Sequence, residues 1–505
     1  MANKPAIARD AVGAFGVALG LITLGELVGD GSFGLLVGII AFGLIVYAMT
    51  RVPVRNSMLG LLFFATVLPN PSEGQPTPWA PPFSTTGQAL LSHLNTLDRS
   101  GILGVIPVST MEIFFLVLFL LILHRKSTKS KIDGEVIPTP KPLIKLAQVS
   151  LAATGFTWGL GLASGGDFAM SLWQVNAVIY LPIIFLLMQA SLRGPKDHWA
   201  IAKLYLIAAA YKCALAFFVV NTIELPGEHP WERRPAYGTA HADSMLFSLG
   251  FLIVIAPLLE GVDRRWRKLA VLMLPILALG TIANNRRLAW LQVGVVLFVV
   301  FLVSRESNLK RNIRRVALAS VPLAIGYVMA GWESKYGGFF KPVRIIRSVV
   351  DTEADGTGSS QWREFENFNI IATFHQSPLF GSGYGHPYKE LIPMPAVAYS
   401  LEPYIPHNSL LGLWAYAGAL GFAGLTLLWV VGIYFAMRAY HASSEPSDRA
   451  TAIVCFGALP IYLAQCWGDL GLSAWNGIFM MGTAFAVAGK LAVARGQWPM
   501  PAHRR

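Results

Sequence analysis

The sequence predicts an all-α integral membrane protein: a polytopic bundle of about 12–14 transmembrane helices carrying one large loop on a single side. Three observations predict it. Hydrophobic residues fill 54% of the 505 positions and charged residues only 13%, about half the charge of an ordinary soluble domain. Apolar runs recur at the roughly 20-residue length that a bilayer-crossing helix needs. Lys and Arg then collect in alternate connections between those runs.

Taken in order, the runs lie near 11–28, 32–50, 56–69, 106–124, 146–164, 172–191, 200–220, 245–261, 269–284, 288–304, 316–332, 408–437, 451–467 and 476–494. The first follows Lys4 and Arg9 and is long enough to span, so it reads as a helix rather than a cleaved signal. The third and ninth are short. Cys213, Cys455 and Cys466 all fall inside apolar runs; an odd number within helices suits packing, not a disulfide framework or a metal site.

The net charge of +12 is explained by orientation. With the N-terminus in the cytoplasm and the spans alternating, most of the Lys and Arg fall on the inner side. They lie in 51–55, 125–145, 193–203, 264–268, 305–315 and 438–449 and at both termini. That is the positive-inside distribution; it excludes nucleic acid as a partner and implies membrane lipids. Both termini are then cytoplasmic.

The exceptions point to chemistry. Arg286 and Arg287 sit in the outward hairpin Asn284-Asn285-Arg286-Arg287, Arg233 and Arg234 in the outward loop 221–243, and Lys335, Lys341, Arg344, Arg347 and Arg363 in the long outward loop. Lys212 lies inside a span, toward its outer half. One reading is a set of cations converging on an anionic ligand, since the arginine fork matches phosphate. The other is that they pair with outward acids, among them Glu232, Glu333, Asp351, Glu364 and Glu366, or with lipid headgroups. Lys212 either snorkels outward or lines a cavity.

The long loop, residues 333–406, is the one stretch large enough to build a site. Over 361–376, Trp362, Phe365, Phe368, Ile371 and Phe374 alternate with Arg363, Glu364, Glu366 and Asn367. This reads as an amphipathic helix, either lying in the membrane interface or packing its aromatics on neighbouring protein. Gly381-Ser382-Gly383-Tyr384-Gly385 follows, whose glycines permit tight turns and close approach of backbone to a ligand. His407-Asn408-Ser409-Leu410 then opens the next span. A histidine there can handle protons near neutral pH, or it is a polar helix-entry residue bonded to backbone; Asn408 is suited to cap the helix. No histidine spacing matches a metal site.

Together these pieces resemble the O-antigen ligase and O-antigen polymerase superfamily of bacterial envelope glycosyltransferases. Arg234-Pro-Ala-Tyr-Gly238-Thr239 resembles the family's Arg-x-x-Gly-Thr region, with one extra residue in the gap. Arg287-Leu-Ala-Trp resembles its hairpin arginine, although the doubling leaves Arg286 and Arg287 competing for the role. Arg363 followed by Pro378-Leu-Phe-Gly381-Ser-Gly383 resembles its Arg and Pro-x-x-Gly-x-Gly stretch. His407-Asn408-Ser-Leu-Leu, with Gly418 and Gly421 beyond it, resembles its His-Asn-x-x-Leu helix. The resemblance covers roughly residues 230–440.

The resemblance implies a C-type glycosyltransferase-like fold in the bacterial inner membrane, with its active site on the periplasmic face and the loop therefore periplasmic. It implies an undecaprenyl-diphosphate-linked glycan as donor, and either a second lipid-linked glycan (polymerase) or lipid A–core (ligase) as acceptor. Other envelope polysaccharide assembly proteins are candidate partners. On this reading His407 and Asn408 are catalytic. Arg234, Arg286, Arg287, Arg363 and Lys212 bind the diphosphate, and Gly381, Gly383, Tyr384 and Gly385 shape the glycan groove. No cofactor and no metal is expected. Residues 1–220 form N-terminal transmembrane helices, 221–440 the ligase-like core, and 441–505 C-terminal helices and a cytoplasmic tail. A flippase or other transporter is the competing class, for which polar residues should lie at mid-depth in broken helices; a noncatalytic envelope scaffold is a third.

Overall fold

The computed structural model describes residues 4–28, 31–69, 83–91, 108–130, 132–224, 235, 237–334, 339–350, 359–394 and 402–499. Among these the chain is helical and contains no strand. The helices are α1 (Lys4–Val28), α2 (Gly31–Arg51), α3 (Val54–Val67), α4 (Ser84–Leu91), α5 (Thr110–Ser127) and α6 (Lys141–Ala163). Next come α7 (Phe168–Ser191), α8 (His198–Thr222), α9 (Asp243–Glu260), α10 (Arg264–Asn284), α11 (Arg287–Val303) and α12 (Asn308–Gly331). The last are α13 (Lys341–Val350), α14 (Ser359–Gln376), α15 (Ser409–Ala442), α16 (Pro446–Gly468) and α17 (Trp475–Ala494).

Every apolar run anticipated from the sequence falls on one of these helices. Nine of the described helices are long and apolar enough to cross a membrane: α6 to α10, α12 and α15 to α17. Shorter apolar segments occupy α1, α2, α3 and α11. The protein is a multi-pass membrane protein.

Local sequence fixes the helix ends. Ser109 and Glu112 form a capping box at the start of α5, while Asp167, Asp263, Ser307 and Asn408 each accept a backbone N–H at the start of α7, α10, α12 and α15. The centre of the bundle is α17 and α9, both buried almost all round. Small residues let α17 sit there: a Cβ at Gly482 would lie 2.8 Å from Ile184, and one at Gly489 2.9 Å from Thr139. At the margin, α12 buries only Lys310 and Gly331.

The two ends of the bundle differ. At one, arginines from the basic connections staple helices together: Arg125 pairs with Asp133 at 2.9 Å and donates to the carbonyls of Met49, Thr50 and Val52. There too, Glu260 takes Arg449, the Tyr440 hydroxyl and the Arg305 N–H. At the other end lie α13, α14 and the loop leading to α15.

A break in α15 anchors that loop. Gly418 has φ 58° and ψ −167°, values only glycine adopts readily. Helix continuity would require Ala419 and Leu420 to donate to the carbonyls of Ala415 and Tyr416. Instead Ala419 and Leu420 donate to Pro378 and Leu379 at 2.9 and 3.1 Å, while Ala415 and Tyr416 accept from Ser382 and Gly383 at 2.9 Å each. The glycine turn therefore replaces these missing helical bonds, pairing the four backbone groups that the break would otherwise leave open in apolar surroundings.

Candidate active site

α14 is the helix on which the site is built. Its buried positions are Trp362, Glu366, Asn369, Ile370 and Thr373, one face of a helix by spacing. Phe368 and Ile371, which the sequence pattern places on the apolar face, are 51% and 42% exposed. Three polar residues are buried because each is satisfied. Asn369 accepts the N–H groups of Leu391 and Ile392 and donates to the Ile392 carbonyl. The Thr373 hydroxyl accepts the Lys389 N–H. Glu366, 1% exposed, faces His407. The helix is thus docked on protein through this polar stripe.

His407 stands just before α15. Its backbone N–H donates to both Glu366 oxygens at 3.1 Å, and its Nδ1 lies 3.2 Å from Glu366 Oε1. The Trp362 ring meets the imidazole edge-on with centroids 4.8 Å apart. Asn408 caps α15 by accepting the Leu411 N–H at 3.1 Å; its buried Nδ2 has no hydrogen-bond partner among the described residues. Burial, reinforced by the charges of Glu390 and Glu366, pushes the nearby Glu402 carboxyl up, against the opposing pull of His407 and of the Tyr388 hydroxyl.

The arginines approach the same helix. Asn285 closes α10 in the left-handed conformation, φ 55°, which asparagine tolerates, and the chain turns at once into α11. Arg287, the first residue of α11, reaches Ser360 of α14 at 3.5 Å. Arg286 lies over the Tyr237 ring at 3.4 Å from its centroid. Of the doubled pair, Arg287 therefore faces α14 and Arg286 an aromatic platform.

Asp469, at the end of α16, joins the two halves of the cluster. Its carboxylate pairs with His241 Nδ1 at 2.8 Å, and its carbonyl accepts the Ser409 hydroxyl at 2.9 Å, two residues from His407. Burial alone would raise this carboxyl. The His241 hydrogen bond and charge, the Arg363 charge and the Leu470 N–H outweigh it and hold Asp469 well below the usual carboxylate range.

Other expectations are corrected or fall elsewhere. Lys212 does not join the arginines: it is 2% exposed, pairs with Asp243 at 3.3 Å and contacts the Leu68 carbonyl at 3.3 Å. Asp243 also accepts from Asn476 at 3.1 Å. A charge buried in a membrane helix needs such a partner, so Lys212 is committed to joining α8 with α9. Arg234 lies outside the described residues. Arg347 pairs with Glu333, one of the acids the sequence offered as partners, at 3.3 Å.

The close approach that Gly381, Gly383 and Gly385 permit is to the chain's own backbone. A Cβ at Gly383 would lie 2.3 Å from Gly161, one at Gly381 2.4 Å from Tyr416, and one at Gly385 2.7 Å from Asp167. Gln174 locks the turn by accepting the Gly385 N–H and donating to the carbonyls of His386 and Tyr404. Tyr384 is buried and lines a small pocket with Gln174, Tyr404, Ser409, Tyr416 and Leu470, beside the start of α15. A larger apolar pocket, lined by His198, Trp199, Tyr205 and Asp448, opens at the opposite end of the bundle.

His241, Glu366 and Asp469 are thus site residues that sequence reasoning did not single out as such. Glu366 carried a signal, since it stands four residues after Trp362 and shares its helix face. Asp469 is a lone acid at the end of an apolar run. Among the described residues no group of three or more His, Cys, Asp or Glu side chains is placed to hold a metal ion.

This fold and site define a class: a many-helix membrane protein that gathers arginines and two histidine–carboxylate pairs at one end of its bundle. Residues 244–426, about a third of the chain, match the family model described as O-antigen ligase. The matched segment holds Arg286, Arg287, Arg363, Glu366 and His407 and leaves out Lys212, Arg234, His241 and Asp469. A solved chain from work on the coordination of polymerisation and crosslinking by a peptidoglycan synthase complex is similar at 19% identity. The match covers 70% of this chain and 98% of that one, with a TM-score of 0.39. No curated protein matches the chain.

Proposed function

We propose that the protein is a metal-independent glycosyltransferase that polymerises glycan carried on undecaprenyl diphosphate at the periplasmic face of the inner membrane. The observation that carries this reading is the meeting of His407 with α14, the helix that also bears Arg363 and contacts Arg287.

The donor brings its own leaving group. The bond between the anomeric carbon and the diphosphate oxygen breaks, its electron pair goes to the diphosphate, and the acceptor hydroxyl forms the new glycosidic bond. Arg287 and Arg363, with Arg286 and Arg234, stabilise the charge that grows on the departing diphosphate. The start of α11 presents the positive end of the helix dipole and favours the same anion. His407 takes the acceptor's proton, and Asn408 orients the acceptor or its sugar. Tyr384 and the pocket beside Ser409 bound the glycan side, held in shape by the turn at Gly381, Gly383 and Gly385. The polymerase form is preferred over transfer to lipid A–core on the large number of apolar runs in the sequence, about fourteen.

The test is His407→Ala, assayed for glycan assembly from lipid-linked donor in membranes washed with EDTA, with insertion verified. General-base assistance contributes about 10²–10⁴ in rate, so turnover should drop by that factor while the wild type remains active in EDTA. Undiminished product from the variant would remove His407 from the chemistry.

A further inference from the structure

We infer that Glu366 is the positioning residue for His407, acting on the reaction solely through that imidazole. This rests on the transferase reading above and names a residue which that reading does not use.

Geometry carries the argument. Glu366 is 1% exposed, and a carboxylate so buried must be fully engaged. Both its oxygens accept the His407 backbone N–H at 3.1 Å and one lies 3.2 Å from Nδ1. One side chain thus fixes both the chain entering α15 and the ring it carries. Trp362, one turn earlier on α14, blocks rotation by standing edge-on to the ring at 4.8 Å. With Nδ1 turned to Glu366, Nε2 is the nitrogen on the opposite edge of the ring. In the transfer step the acceptor O–H bond breaks, its proton goes to Nε2, and the oxygen's electron pair forms the bond to the anomeric carbon. The ring becomes cationic while Glu366 stays ionised. A fixed anion beside the ring stabilises that charge and holds the tautomer that leaves Nε2 able to accept, the role a buried aspartate performs in serine hydrolases. Among the described residues, Glu390 and Glu402 are the further acids near His407, and Glu402 feels the His407 charge.

The experiment is a double-mutant cycle on full-length protein in membranes, with KM and kcat for lipid-linked donor measured separately. Glu366→Gln keeps the size and an acceptor oxygen and removes the charge. It should lower kcat about 10–100-fold and leave KM unchanged, a part of the roughly 10²–10⁴ that general-base assistance contributes in full. In a His407→Ala background, the same change should lower kcat no further. Glu366→Asp, which keeps the charge, should recover part of the loss. Multiplying losses in the double variant, or wild-type kcat in Glu366→Gln, would overturn the inference. If Glu366→Gln fails to insert, Glu366→Asp decides: an intermediate kcat at constant KM supports the inference, and wild-type kcat or a change in KM alone overturns it. Undiminished activity of His407→Ala alone would instead sink the transferase reading, so the two failures are distinguishable.

Discussion

Asp469 shows how much one residue's surroundings decide. The carboxyl is buried, yet His241, Arg363 and the Leu470 N–H hold it well below its ordinary range. Its value in the unfolded chain is about 3.9, so the folded value is the lower of the two. The stabilisation that follows is fully present above the unfolded value and is lost as pH falls through the folded one. Asp469→Asn should therefore unfold more easily than wild type at neutral pH, by about 1–3 kcal/mol for a hydrogen-bonded charge removed. The difference should narrow below about pH 4. Thermal unfolding in detergent, followed by tryptophan fluorescence across pH, measures both. Lys212 makes the complementary point. Its cationic character is legible in the sequence, but its 3.3 Å pairing with Asp243 depends on α8 meeting α9, and that pairing sets it apart from the arginines.

At the scale of elements, α14 and the glycine turn behave as one docked unit. Hydrophobicity alone picks Trp362, Phe365, Phe368, Ile371 and Phe374 as the buried stripe; packing picks Trp362, Glu366, Asn369, Ile370 and Thr373. The two stripes differ because buried polar groups are tolerated where every donor and acceptor is met. A single sequence does not reveal that Leu391, Ile392, Lys389 and His407 supply those partners. The glycines were legible as sites of close approach, but what they approach was not. Gly161 of α6 gives the test, since a Cβ there would lie 2.1 Å from the Tyr384 carbonyl oxygen. Gly161→Ala should lower thermal stability by about 1–3 kcal/mol, the usual cost of overpacking, and reduce glycan assembly by displacing the turn. Gly159→Ala, two residues away with nothing within 4 Å of its Cβ position, is the control and should do neither.

At the scale of the whole molecule, the charged groups separate by end. Arg125, Arg449 and Arg495 are paired at one end, while Arg286, Arg287, Arg363, His241 and His407 gather at the other. That one-ended arrangement is what an enzyme at a single membrane face requires, whereas a transporter should keep its polar site at mid-depth. The orientation has a direct test, because Cys213, Cys455 and Cys466 are all buried. A cysteine at exposed Glu390 should react with a membrane-impermeant maleimide added to spheroplasts, and one at exposed Ser444 should react only after lysis; the reverse pattern would turn the protein over. The sequence by itself determined the membrane class and the run of helices, and it offered the positive-inside orientation and the candidate residues His407, Arg363 and the Arg286–Arg287 pair. Each follows from composition, from period or from residue types adjacent in the chain. Only the tertiary structure decided which carboxylates stand beside which imidazoles, which arginine of a pair turns to α14, and that Lys212 is spent on Asp243. Glu366 meets His407 across 41 positions and His241 meets Asp469 from separate helix ends, and such contacts exist only once the helices have packed.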